Sequence, residues 1–295
     1  MNVPHPIPYQ GSKRGIASEI LPFFPRKFTR LVEPFAGSAA ISIAVASRGM
    51  ASAFWLNDAH KPLMDLWQNI IHHDGELADA YEVHWIAQIG CERDYYNEVR
   101  FNFNQSGKPA DFLYLLARCV KASIRYNSKG EFNNTPDNRR KGARPTEMRN
   151  RLQRASALFK GKSDLTSYHY AKVLEQCETD DVVYMDPPYQ GVCKNRDQRY
   201  CPVFDHDEFC QCLDELNSRN VRFVVSYDGR TGQKVHGKSL PNDLNLVRFE
   251  ISAGRSSQAT LLGRNEETVE SLYISKNLAE SGKQILKKAT QKLLF

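Results

Sequence analysis

Residues 181–189, Asp-Val-Val-Tyr-Met-Asp-Pro-Pro-Tyr, constrain this chain more than any other stretch. The run 181–185 is short, β-branched and aromatic, and reads as a buried parallel strand. Pro187 and Pro188 must end it, because neither has an N–H to give to a sheet ladder. Asp186, two prolines and Tyr189 therefore stand at the carboxyl end of a sheet strand. That edge is where ligands bind in open α/β sheets. Taken alone, the four residues also read as a strand terminator carrying a surface aspartate, and the rest of the chain decides.

Upstream lies a strand, a glycine-bearing turn and a helix. Leu31-Val32 are strand-like, Glu33-Pro34-Phe35-Ala36-Gly37 turn, and residues 39–47 form an Ala/Ile-rich helix. This is the first βα unit of a nucleotide-binding sheet. It lacks G-x-G-x-x-G, so a dinucleotide pyrophosphate is not the expected ligand. A second strand, 53–56, runs into Asn57-Asp58, with Asp58 21 residues after Gly37. An acid at that spacing suits ribose hydroxyls, and it also suits the start of a helix over 62–71; the two roles are compatible. Residues 7–15, with Tyr9, Gly11, Lys13 and Gly15, form a turn before a helix-like run, 16–24. Such a turn presents N–H groups and a cation to an anion.

Residues from about 75 to 160 break this rhythm. Runs 76–89 and 112–124 look helical, 125–133 looks like a hairpin turning at Lys129-Gly130, and Thr146 is placed to cap a helix to residue 159. Met148, Leu152, Ala155 and Phe159 would form its apolar stripe. Between 139 and 154 stand Arg139, Arg140, Lys141, Arg144, Arg149, Arg151 and Arg154 against one acid, Glu147. With a net charge of +6, this points to a phosphate-facing surface. After it the sheet resumes with 163–168, 181–185 and 221–227, and 246–252 with 270–275 form a hairpin. Polar loop residues 254–258 and 263–265 lie between them, and 281–294 reads as a basic amphipathic helix or a frayed end. The 295 residues suffice for one large α/β domain with an insertion. No apolar run approaches the roughly 18 residues that span a bilayer. No secretion signal is visible, so a cytoplasmic protein with reduced thiols is expected. Cys193, Cys201, Cys210 and Cys212 cluster without a Cys-x2-Cys pair, so no zinc site is expected.

Together these segments resemble the alpha-group DNA adenine N6-methyltransferases, the D12 class of Dam-like and restriction–modification enzymes. Residues 9–15 resemble the group's N-terminal cofactor motif. Leu31 to Ser38 resembles Val-Glu-Pro-Phe-x-Gly, and Leu56-Asn57-Asp58 the acidic motif. Residues 125–133 resemble the hairpin that reads DNA, and Asp186-Pro187-Pro188-Tyr189 the catalytic motif. The order also matches, with the insertion between the glycine and catalytic motifs. The chain departs at 134–142, Asn-Thr-Pro-Asp-Asn-Arg-Arg-Lys-Gly, where many members run Val-Pro-x-Gly-x-Tyr-Lys. The target site therefore need not be the family's best-known one.

The resemblance implies a Rossmann-like mixed α/β sheet, the S-adenosylmethionine-dependent methyltransferase fold, over 1–72 and 161–295. A helical target-recognition domain would occupy 73–160. It implies S-adenosylmethionine as cofactor, S-adenosylhomocysteine as product and no metal. Tyr9, Lys13, Glu33, Pro34, Phe35 and Gly37 would meet the cofactor's amino-acid end, Asp58 its ribose, and Asp164 with Leu165 its adenine. The substrate amine is a poor nucleophile; Asp186 and the Pro187 carbonyl would hold its N–H groups, Pro188 would stiffen the loop, and Tyr189 would stack the flipped base. Arg125, Asn127 and Lys129 would read bases or phosphates, and Arg139, Arg140 and Lys141 would meet phosphates. The partner is double-stranded DNA, with no membrane, a monomeric chain, and a separately acting restriction endonuclease as a possible associate in a bacterial or phage setting. Two other readings stay open: methylation of cytosine N4, and a DNA-binding protein that keeps the fold without catalysis.

Overall fold

The computed structural model describes residues 3–188, 204–231, 234–236, 239–255 and 267–280. The strands are β1 (Phe28–Glu33), β2 (Ala51–Asn57), β3 (Ser163–Thr166), β4 (Asp181–Met185), β5 (Arg222–Thr231), β6 (Lys234–His236), β7 (Val247–Arg255) and β8 (Glu267–Ile274). They form one eight-stranded sheet in the order β3-β2-β1-β4-β5-β8-β7, with β6 paired to β5. The pairs from β3 through β5 are parallel, and those of β5 with β6 and β8, and of β7 with β8, are antiparallel. The sheet is thus Rossmann-like and mixed, as expected, and the 246–252/270–275 hairpin is its far edge.

All five residues of β4 are buried. Their side chains alternate between two apolar layers, as period-2 geometry requires. Val182 and Tyr184 face the layer that also holds Leu31, Phe54 and Val224, whereas Val183 and Met185 face the layer of Val32, Trp55 and Phe223. Helices cover both faces, which is why the strand reads as a continuous apolar run.

The helices are α1 (Ala17–Ile20), α2 (Ala40–Ser47), α3 (Lys61–His72), α4 (Asp74–Ala87), α5 (Glu92–Ser106), α6 (Pro109–Arg118), α7 (Pro145–Phe159), α8 (Tyr170–Glu175) and α9 (His206–Ser218). The last two lie on the Val183 face, and the others supply the opposite layer. Met148, Leu152, Ala155 and Phe159 of α7 are fully buried, the stripe read from the sequence. Phe159 meets Phe54 of β2 edge-on at 5.2 Å and Trp67 of α3 at 6.0 Å, so the insertion's core is continuous with the sheet's.

Four elements differ from expectation. The run 16–24 is not one helix: α1 gives way to a 3-10 turn at Leu21–Phe23, where Pro22 has no N–H to donate. α5 was not anticipated. α6 stops at Arg118, and Lys121 and Ala122 adopt positive φ (59° and 49°), so 112–124 is not continuous helix. α7 starts at Pro145 with Arg144 in the capping position and no side-chain cap, so Thr146 is already inside it. Tyr189, Cys193, Cys201, residues 256–258 and 263–265 and the tail 281–294 lie outside the described residues.

Candidate active site

The chain runs from β1 outward to β2 and β3, then returns to lay β4 beside β1 and continue to β5. The direction of winding reverses between β1 and β4, so the loops leaving those two strands diverge and leave a crevice at the carboxyl edge. Glu33 ends β1 and Asp186 follows β4. A cavity of about 230 Å³ opens there, room for several waters or an organic ligand.

The turn after β1 forms one wall. Gly37 has φ +50°, and a Cβ there would lie 3.1 Å from the Tyr9 ring. Its N–H donates to Asp58 Oδ2 at 3.0 Å, and its carbonyl accepts from the buried Trp67 indole at 2.9 Å. Asp58 Oδ1 accepts from the His60 N–H at 2.9 Å. Asp58 thus fastens two loops at the wall of the cavity. It does not itself occupy the capping position of α3, which is His60. Asn57, fully buried, ties the edge together. Its Nδ2 donates to the Pro34 and Tyr168 carbonyls at 2.9 and 3.0 Å, and its Oδ1 accepts from Thr166 and the Tyr168 N–H, both at 2.8 Å.

The opposite wall is charged. Lys13 is buried, with Nζ 3.0 Å from Asp186 Oδ1 and 3.1 Å from Glu270 Oε2. Burial pushes the Asp186 carboxyl up to about 6; Lys13 opposes this and Glu270 adds to it. Burial lifts Glu33 to about 8, although it accepts the Ser42 N–H at 3.2 Å. Pro187, itself buried, and Pro188 both line the cavity. The apolar end is built by Phe35, Tyr170 and Phe204, with Phe35 5.2 Å from Tyr170 and 6.3 Å from Phe204.

Tyr9, Lys13, Glu33, Pro34, Phe35, Gly37, Asp58, Asp186, Pro187 and Pro188 are therefore brought to one cavity. Asp164 and Leu165 are not among its lining residues. Asp164 is exposed in mid-strand opposite Trp55, and Leu165 packs on the core. The carboxyl-edge loop begins only after Thr166, and from it His169 and Tyr170 reach the cavity instead. Those two, with Ser12, Phe204 and Glu270, were missed. For His169 and Tyr170 the signal was available, since they directly follow a strand end.

The hairpin forms around an antiparallel bridge between Tyr126 and Phe132, with Gly130 at φ +76°. Asn127 Oδ1 accepts the N–H groups of Lys129 and Glu131 at 2.9 and 3.0 Å, and its Nδ2 donates to Glu131 Oε2 at 2.8 Å. Its side chain shapes the turn; Lys129 is exposed and Arg125 half-buried. Two contacts fasten this region to the cavity: the Gln10 N–H donates to the Ala122 carbonyl at 2.9 Å, and His60 Nε2 lies 2.6 Å from the Tyr126 hydroxyl. Burial drives His60 down to about 3, so this hydrogen bond is between neutral groups.

The basic stretch is less one-sided than its sequence. Arg149 meets Asp79 and Glu82 of α4 at 2.6 and 3.4 Å, Lys141 meets Glu92 of α5 at 3.1 Å, and Arg151 meets Glu147 at 2.8 Å. Arg139 and Arg140 share Asp137 at 3.2 and 3.5 Å yet stay largely exposed. Exposed pairs of this kind are worth little and exchange readily for phosphate. Among the described residues no group of three His, Cys, Asp or Glu is placed to hold a metal, and no helix is long and apolar enough to cross a membrane.

The family model of D12 class N6 adenine-specific DNA methyltransferases matches residues 9–252. The Retron Ec67 DNA adenine methylase of Escherichia coli is 30% identical over 261 residues, covering 85% of this chain and 87% of that protein. The DNA adenine methylase of Haemophilus influenzae is 32% identical over 194 residues, 61% of this chain and 62% of the relative. Type II methyltransferase M.FokI of Planomicrobium okeanokoites is 22% identical over 285 residues, 91% of this chain; the chain spans only 42% of that relative's length.

Proposed function

The chain belongs to the D12 class N6 adenine-specific DNA methyltransferase family, and from that premise we propose that it methylates the N6 amine of an adenine drawn out of duplex DNA, using S-adenosylmethionine. The single observation that carries this reading is the convergence of Asp186-Pro187 with Lys13, Gly37 and Asp58 on one cavity at the switch between β1 and β4.

The residues fit the cofactor. Gly37, whose missing Cβ leaves room for the Tyr9 ring, and Asp58 both line the cavity, where Asp58 would meet vicinal hydroxyls. The cofactor, when bound, supplies a methyl group on a cationic sulfur. Glu33 lines the amino-acid end, and Phe35, His169 and Tyr170 offer faces for the purine. In this reading the purine would lie beside residues 169–170, which line the cavity, and not beside Asp164 and Leu165, which do not.

Asp186 Oδ1 is taken by Lys13, so Oδ2 would accept one hydrogen of the incoming amine, and the Pro187 carbonyl the other. Two acceptors aim the nitrogen lone pair and stabilise the positive charge that grows on it, an effect typically worth several kcal/mol where water is excluded. Once the amine carries the methyl group, the Asp186 carboxylate, which would already hold one of its N–H groups, would take up the released proton. The prolines preset this loop, so little ordering remains during reaction. Tyr189 would stack the extruded base. Residues 73–160 would grip the duplex through the hairpin, with Lys129 and Arg125 at the groove and Arg139, Arg140 and Lys141 trading Asp137 and Glu92 for phosphates. One chain carries both parts, so a monomer is the proposed active unit.

Sequencing of DNA from a methylation-deficient host expressing the protein tests the reading. N6-methyladenine at one sequence motif is expected, and it should vanish with Asp186→Ala while DNA binding persists. Methyl groups on cytosine N4 alone would point to the other amine, and an unmethylated genome to a binding protein.

A further inference from the structure

Glu270 belongs to none of the motifs above, and it reaches the site because the sheet is irregular. The β5–β8 register shifts between Ser226 and Gly229, placing one extra residue on β5. Asp228 in this bulge is buried at φ +52° and accepts the Tyr273 hydroxyl at 2.8 Å. Gly229 opposes Glu270, and a Cβ on Gly229 would stand 2.6 Å from the Val269 carbonyl, so glycine alone lets β8 approach this closely. Bulges beside sites commonly re-aim side chains. By strand alternation Glu270 shares the face of Leu272 and Ile274, which pack in the same layer as Ile16 and Ile20 next to Lys13.

We propose that Glu270 is a positioning residue of the methyl-transfer site: it shares the buried Lys13 ammonium with Asp186, so that one cation is divided between two carboxylates and Asp186 keeps its strength as an acceptor. A Lys13 ammonium given wholly to Asp186 would withdraw the charge that the amine needs. With Glu270 present two carboxylates face one ammonium, a setting that favours a nitrogen becoming cationic. Asp186 is faced by Lys13 from the N-terminal turn, Glu270 from β8, Glu33 from β1 and Tyr184 from its own strand. Asp58 and His169 line the same cavity. Glu33, held near 8, is mostly uncharged at neutral pH, so Lys13 and Glu270 set the charge at Asp186.

The inference rests on the proposed methyl transfer, and its test has one arm that does not need turnover. Carboxyl carbons of labelled aspartates are titrated by NMR in the cofactor-free protein, with the Asp186 signal identified by its loss in Asp186→Asn. The wild-type signal should titrate at about 6. In Glu270→Gln, which keeps shape and removes charge, the midpoint should fall by roughly half a unit or more, because a like charge is gone and Lys13 turns fully to Asp186. In Lys13→Met it should rise, and in Glu270→Asp it should stay near wild type. In the second arm, Glu270→Gln should lower kcat about tenfold with KM for DNA little changed, and move the acid limb of kcat down in pH with the NMR midpoint. An unmoved midpoint in Glu270→Gln overturns the role of Glu270. A wild-type protein that transfers no methyl to DNA overturns the proposed function and leaves the titration result standing.

Discussion

Gly37 sits under two constraints at once, a left-handed backbone and an aromatic ring against its missing side chain. Gly37→Ala should cost about 1–3 kcal/mol of local strain. Cofactor affinity measured by calorimetry should fall about tenfold or more, and the melting temperature without cofactor should drop by a few degrees. Glu33 makes a different prediction. Its folded value is near 8 against an ordinary carboxylate value of 4.5. At low pH both folded and unfolded chains hold the proton and the group is neutral to stability. As pH rises through 4.5 the unfolded chain ionises while the folded one does not, so stability drains away until about pH 8 and then levels. Glu33→Gln should therefore melt higher than wild type at pH 8.5, lose that advantage near pH 4.5, and bind cofactor more weakly. At this scale the legible residues were those whose spacing is local: Asp58 and Asp186 each follow a strand directly, and Gly37 stands in the turn that leaves one. The acids that pair with Arg149 lie on α4, about 70 positions away in sequence, so counting charges within a window overstated the free basic surface. Glu270 was unreadable for the same reason, since a bulge in the neighbouring strand β5, about 40 positions earlier in sequence, aims it.

Elements with a strong apolar period were legible, and those defined by polar clamps were not. α7 shows its stripe in the sequence; α5 reads Glu-Arg-Asp-Tyr-Tyr-Asn-Glu and has only Tyr96, Val99 and Phe103 buried. Its polar residues nonetheless have work. Asn104 donates to the Phe132 carbonyl at 3.1 Å and accepts the Phe132 N–H at 2.8 Å, while Arg100 donates to the Asn134 carbonyl at 3.1 Å. α5 thereby holds the returning arm of the hairpin as an adjacent strand would. Asn104→Ala should speed amide exchange across residues 125–133 and weaken DNA binding severalfold, with cofactor affinity unchanged. Equal loss of both affinities would mean that the hairpin and the cavity are one mechanical unit, joined through His60 and Tyr126.

The whole molecule shares one core between sheet and insertion on the Val182 face of β4. Ser156 of α7 donates to the Ile71 carbonyl of α3 at 2.7 Å, and Phe159 wedges between β2 and α3. Phe159→Ala should cost about 3–5 kcal/mol. Urea unfolding followed by helix circular dichroism and by tryptophan fluorescence should shift together, in one transition. Two separated transitions would mean that the insertion folds on its own. The layering and the parallel strands were visible in the sequence pattern. The continuity of the core was not, because nothing local marks which elements the apolar stripe of α7 meets.

β1 and β4 are neighbours in the sheet, and Arg30 grips Asp181 across that seam with two bonds of 2.7 Å. In the chain they stand 151 positions apart. During synthesis β1, β2, β3 and every helix through α8 emerge before β4, the second partner of β1, exists. The growing chain must carry an unpaired, apolar strand edge for as long as it takes to translate the entire recognition region. A pairing so distant is slow to close and leaves the edge open to other chains meanwhile. The seam that creates the crevice is therefore also where a truncated or stalled product would be most prone to aggregate, and translation speed between residues 33 and 181 becomes part of what this fold depends on.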